Sequence, residues 1–219
     1  MPVVLCYGDS NTHGTPPMAD LDTGGRFGHD VRWPGVMADI LGRDWTVIEA
    51  GLPGRTTVHD DPIDGTYKNG LTVLPAVLHS HKPLDLVVIM LGTNDLKARF
   101  SLTAADIAAG CGKLIETVLG AGVGHAGIAP KILLVAPTPI AEAGILAEMF
   151  TGGAAKSLLL AERMRGVADR MGVAFFDAGR VAAVDPLDGI HFASETQVAL
   201  GHAMADAVQA AFHDDAKTG

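Results

Sequence analysis

The sequence predicts an α/β fold: a three-layer α/β/α sandwich around a five-stranded parallel sheet, doubly wound in the flavodoxin-like order 2-1-3-4-5. Three observations predict it. Five runs, at 3–7, 46–50, 86–91, 132–136 and 173–176, are apolar without alternation, as strands buried on both faces must be. The segments between them carry helical spacing, and strands alternating with helices require right-handed crossovers that cover both faces of a sheet. A chain of 219 residues fits within one such core, so residues 1–219 are expected to form a single domain. Its last residues, HDDAKTG at 213–219, are expected to fray.

The elements follow in order. The first apolar run ends on Gly8-Asp9-Ser10-Asn11, the second on Gly51-Leu52-Pro53-Gly54-Arg55, and the third on Gly92-Thr93-Asn94-Asp95. The clearest helix places Ile107, Cys111, Leu114, Ile115 and Val118 on one stripe, opened by Thr103 with Asp106 three residues on, a capping box. The last helix has Leu200, Met204, Ala207, Val208 and Ala211 as its apolar stripe, with Ser194 and Gln197 expected to cap it. Two connections, 11–32 and 137–153, are longer than a crossover needs, and long connections in a compact domain carry function or contacts.

Composition removes several classes of function. Sixteen Lys and Arg against 25 Asp and Glu give a formal charge of -9, which withholds the electrostatic attraction that nucleic acid and anionic membrane surfaces require. Cys6 and Cys111 both fall in apolar settings and read as small hydrophobes, with no disulfide framework. The start, MPVVLCYGDS, lacks a basic leader, and no apolar run approaches the ~20 residues of a membrane span. A soluble, cytoplasmic protein is expected.

In a parallel sheet the residues that follow the strands gather along one edge, and ligands bind there. That edge should collect Ser10, the Gly51 amide, Asn94 and, from the segment before the last helix, Asp188-Gly189-Ile190-His191. A serine needs a base to act as a nucleophile, the base needs an orienting partner, and a tetrahedral oxyanion needs donors fixed in advance. The edge therefore holds the parts of an acyl-transfer site.

These blocks also carry a resemblance. "GDSN", "GLPGRTT", "GTND" and "DGIH" resemble the blocks of the SGNH hydrolases, or GDSL esterases; "VRWPGVMADILG", "PLDLVVIMLGTNDLK" and "FFDAG" are similar to bacterial arylesterases of that family, some of which catalyse acyl transfer and perhydrolysis. The resemblance covers nearly the whole chain. It implies the SGNH hydrolase fold and a cofactor-free, metal-free serine carboxylic ester hydrolase acting on small, short-acyl esters. By the same resemblance Ser10 is the nucleophile, His191 the general base and Asp188 its orienter. The Ser10 and Gly51 amides and the Asn94 side chain are the oxyanion donors, and Asp9, Asn11 and Thr93 are substrate-binding positions. A homo-oligomer, octamers included, is implied as well, with Ile145, Leu146, Met149 and Phe150 offering a subunit contact or a pocket wall. Asn11 stands where the family usually has leucine, and His13 where the perhydrolytic relatives often have a large aromatic, so the pocket wall is where this chain departs from the pattern.

Rival readings stay open. Within the same chemistry they are a carbohydrate acetylesterase and a thioesterase or lysophospholipase; from another class, a catalytically idle binding module of flavodoxin-like form. Other motifs are set aside. "GVGHAG" at 122–127 follows a helix and enters a strand, the reverse of a dinucleotide-binding turn. His79 and His81 close a helix with no third metal ligand in view, and the "HDD" of 59–61 reads as a solvated loop.

Overall fold

The computed structural model describes residues 1–22 and 24–213. Five parallel strands form one sheet in the order β2-β1-β3-β4-β5, with β1 at Val3–Gly8, β2 at Thr46–Gly51, β3 at Leu86–Met90, β4 at Lys131–Ala136 and β5 at Ala174–Asp177. Each strand agrees with its predicted run to within one residue at either end. The strand order is the predicted one.

Alternation within β1 explains why its run is apolar throughout. Val4 and Cys6 face one helical layer while Leu5 and Tyr7 face the other, because successive side chains point to opposite sides of a strand. On the first side lie α2 (Trp33–Leu41) and α7 (Ser194–His213), contributing Trp33, Met37, Leu200, Met204 and Val208. On the second lie α3 (Gly70–His81), α4 (Ala104–Gly120) and, after the short α5 (Gly153–Ser157), α6 (Leu160–Met171), contributing Leu74, Leu78, the predicted stripe from Ile107 to Val118, and Met164. Cys6 and Cys111 are buried free thiols, one in each layer.

The capping box on α4 forms in full. Thr103 Oγ1 accepts from Asp106 N at 3.2 Å, and Asp106 Oδ2 accepts from Thr103 N at 2.9 Å. The cap expected on α7 does not. Gln197 is fully buried; its Oε1 accepts from Trp33 N at 2.9 Å and its Nε2 donates to Asn11 O at 3.1 Å. The first turn of α2 has no side-chain cap of its own, so a buried amide from α7 satisfies an orphan donor there and ties two other elements together.

The connection 137–153 folds inward. Leu146 and Phe150 are buried in the core and Met149 packs against it, leaving Ile145 as the exposed member of the four, at 40%. "HDD" is not a solvated loop throughout. Asp61 is buried and paired with Lys97 Nζ at 3.0 Å and Arg99 Nη1 at 2.8 Å, partners some 36 and 38 residues along the chain that a local reading does not see. Against the burial that would raise it, the backbone donors of Asp64 and Ile63 and the Lys97 ammonium hold the Asp61 carboxyl well below the usual range. His79 and His81 do close α3, and 122–127 does run from α4 toward β4. The tail from 214 lies outside the described residues, while His213 belongs to α7. Among the described residues no helix is long and apolar enough to cross a membrane.

Candidate active site

The site starts from two glycines that let chain segments touch. A Cβ on Gly8 would fall inside the Thr12 side chain, and one on Gly51 would collide with the backbone at His13. Their absence lets α1 (Ser10–His13) turn directly off the end of β1 and rest on the end of β2. Asp9 caps α1 by accepting from Asn11 N at 3.0 Å. Ser10 is thereby the first residue of a helix, only 5% exposed, at the carboxyl edge of the sheet.

The third strand delivers its residues through a short helical turn, Asn94–Leu96. Asn94 Nδ2 approaches Asp9 Oδ2 at 3.4 Å, so the amide faces the turn that bears Ser10. Asp95, also buried, accepts from Thr57 N and Thr57 Oγ1 and pins this turn to the segment after β2. Thr93 is buried at the start of the same turn.

The segment before α7 builds the strongest polar constellation in this region. Asp188 Oδ2 lies 2.7 Å from His191 Nδ1 and accepts from Met18 N at 2.8 Å. Its Oδ1 accepts from the backbone of Ile190 and of His191, both at 2.9 Å. Burial alone would raise this carboxyl, yet the bonds from His191 and the backbone hold it down at about 2. An ionised carboxylate only accepts, so Nδ1 of the imidazole carries the proton and Nε2 of the neutral ring keeps a lone pair. The turn is possible because Gly189 has φ +73, where a Cβ would also strike Ala141 O. Ala141 N donates to Gly189 O at 2.9 Å, so the 137–153 connection buttresses this turn.

Asn11 joins the two halves. Its Nδ2 donates to Ile190 O at 3.0 Å, linking α1 to the residue before His191. Asp9 is buried and its carboxyl is pushed up to about 6 by burial, with the Asn11 N–H, His191 and Arg55 acting in the opposite direction. The fold therefore gathers Ser10, Asn94, Asp188 and His191 at one edge, with Gly51 packed against α1. Asp9 and Asn11 are engaged in hydrogen bonds within the protein. Two contributors lie outside the sequence reading: the Met18 amide on Asp188, a backbone donor with no sequence signal, and Arg55, whose signal was a lone cation among turn residues. A separate hollow lies at the other flank, between α6, β5 and α7, and among the described residues no Ser, Thr or Cys lines it.

The sequence profile of the GDSL-like lipase/acylhydrolase family matches residues 6–199. Among solved structures, the chain is similar to a carbohydrate acetylesterase from Sinorhizobium meliloti, with 46% identity, TM-score 0.92, and 96% of this chain and 99% of that one covered. It is equally similar to the M. smegmatis aryl esterase, with 45% identity, TM-score 0.92, and coverage of 96% and 100%. A carbohydrate acetylesterase family member, again from Sinorhizobium meliloti, follows with 40% identity, TM-score 0.88, and coverage of 97% and 99%. No curated protein sequence matches the chain.

Proposed function

Because the chain belongs to the GDSL-like lipase/acylhydrolase family, we propose that it is a serine carboxylic ester hydrolase for small, short-acyl esters, working through an acyl-serine intermediate. The observation that carries this reading is the buried Asp188–His191 pair, joined through Asn11 to the helix that begins at Ser10. In the proposed reaction His191 Nε2 takes the Ser10 hydroxyl proton as Oγ attacks the ester carbonyl. The resulting oxyanion meets the amides of Ser10 and Gly51 and the Asn94 Nδ2. Collapse breaks the bond to the alcohol oxygen, which leaves with the proton from His191. Water, deprotonated by the same imidazole, then attacks the acyl-Ser10 carbonyl and releases the acid. An alcohol or hydrogen peroxide in place of water would give acyl transfer or perhydrolysis.

In this scheme Asp188 fixes the imidazole, while Asp9, Asn11 and Thr93 form the floor that holds Ser10, His191 and Asn94 in place. The leaving group is aryl or sugar, since an aryl esterase and a carbohydrate acetylesterase are equally similar structures. A panel comparing phenyl acetate, acetylated sugars and long-chain esters on wild type and Ser10→Ala tests both points. Turnover of acetyl esters that vanishes in the variant supports the reading. Turnover that survives in Ser10→Ala overturns it.

Two further properties belong to the same proposal. A cytoplasmic location is supported by two free, buried thiols, and fractionation tests it. A homo-oligomer, up to the octamer, is supported by exposed Ile145, Leu158 and Leu159 on neighbouring segments, and light scattering tests it.

A further inference from the structure

Arg55 presents a buried cation that the proposed reaction does not use. It is 5% exposed and enters no ion pair among the described residues. Its guanidinium carbon sits 4.0 Å over the centre of the Tyr7 ring, and its Nε is buried without a partner. Its Nη1 donates to two backbone carbonyls, Gly8 O at 2.7 Å and Ala50 O. Burying a cation this incompletely satisfied is costly, and an apolar side chain would fill the space beside Tyr7 without that cost.

Gly8 is the last residue of β1 and Ala50 the next-to-last of β2. Ala50 O belongs to the peptide group whose N–H is that of Gly51, and Gly8 O to the peptide group that leads into Asp9 and Ser10. A charged donor on a carbonyl draws electron density through the conjugated peptide unit and makes its N–H a stronger donor. The positive charge itself is fixed in a buried setting, where field effects on a developing anion are large.

We propose that Arg55 is a positioning residue of the oxyanion hole: by holding and polarising the Ala50–Gly51 peptide, it strengthens the Gly51 N–H toward the oxyanion. This rests on the esterase reading above, because it needs Gly51 to be an oxyanion donor. The oxyanion exists only in the transition state, so the contribution falls on kcat and not on substrate binding. Complete loss of an oxyanion donor costs on the order of 10²- to 10³-fold, and weakening one costs less, roughly 10- to 30-fold.

The test compares wild type, Arg55→Lys and Arg55→Met on phenyl acetate, with active sites counted by fluorophosphonate titration so that misfolded protein does not enter kcat. Arg55→Met is expected to lose roughly 10- to 30-fold in kcat with KM within about threefold, and Arg55→Lys, which keeps the charge, to recover part of the loss. Unchanged kcat per titrated site in Arg55→Met, with only a lowered melting temperature, would leave Arg55 a structural brace and overturn the proposal. If Arg55→Met does not fold, Arg55→Lys decides: a several-fold fall in kcat at constant KM supports the role, and an unchanged kcat or a matching rise in KM contradicts it. Failure of the wild type to be titrated at all would instead remove the esterase reading on which the proposal stands.

Discussion

His191 Nδ1 and Asp188 Oδ2 stand 2.7 Å apart, and the remaining bonds of that carboxylate come from the protein backbone. The pair is therefore rigid before any substrate arrives. Replacing Asp188 with Asn keeps the shape of the turn but offers an N–H where the imidazole needs an acceptor, which reverses the tautomer. Esterase turnover is expected to fall by up to ~10⁴-fold with the fold intact. A loss below tenfold would remove Asp188 from the role of orienter.

Asn94 is expected to act as a donor to the oxyanion through the amide that now faces Asp9. Asn94→Ala should lower kcat by on the order of 10²- to 10³-fold, about 3 kcal/mol in the transition state, with little change in KM. Steady-state kinetics on phenyl acetate checks it; near wild-type kcat would exclude the assignment.

In the proposed reaction Gly51 matters for the space it leaves as well as for its amide. The added Cβ in Gly51→Ala meets backbone at Thr12 and His13, which cannot step aside like a flexible side chain. Overpacking of this kind costs roughly 1–3 kcal/mol, and here the displaced element is the helix that begins at Ser10. Denaturant unfolding should show that loss together with a fall of at least about tenfold in turnover. A variant as stable and active as wild type would mean that α1 is not seated on β2 as described.

Asp9 sets a pH dependence of stability with a definite sign. Its folded pKa of about 6 lies above the ordinary carboxylate value because of burial, so between pH 4 and 6 the native state binds more protons than the unfolded one. Stability contributed through this group therefore falls as pH rises across that window, and the penalty is complete above it. Asn at position 9 would cap α1 equally well without the charge. Asp9→Asn is expected to be more stable than wild type at pH 8, by roughly 2–3 kcal/mol at most, with the difference gone near pH 4. Equal melting temperatures at both pH values would contradict this.

The sheet was legible because its evidence is local. Strands buried on both faces read as unbroken apolar runs, and the Thr103–Asp106 box lies within four consecutive residues. The order of blocks along one edge followed from the parallel topology alone. What remained hidden depends on distant partners. Gln197 sits where a cap is common, yet it bonds to Trp33 and Asn11 because the fold leaves polar groups there that only a buried amide can reach. Asp61 looked solvated until Lys97 and Arg99 were brought to it. The Met18 amide on Asp188 and the Arg55 contacts on Gly8 and Ala50 involve backbone atoms, which every residue possesses and no residue type announces.

Activation of Ser10 as a nucleophile is read out by intact-protein mass spectrometry after brief exposure to a small fluorophosphonate. The prediction is a single adduct on wild type, absent from Ser10→Ala and strongly slowed in His191→Ala. No adduct on wild type, under conditions that label a control esterase fully, would contradict it, as would an adduct that persists in Ser10→Ala.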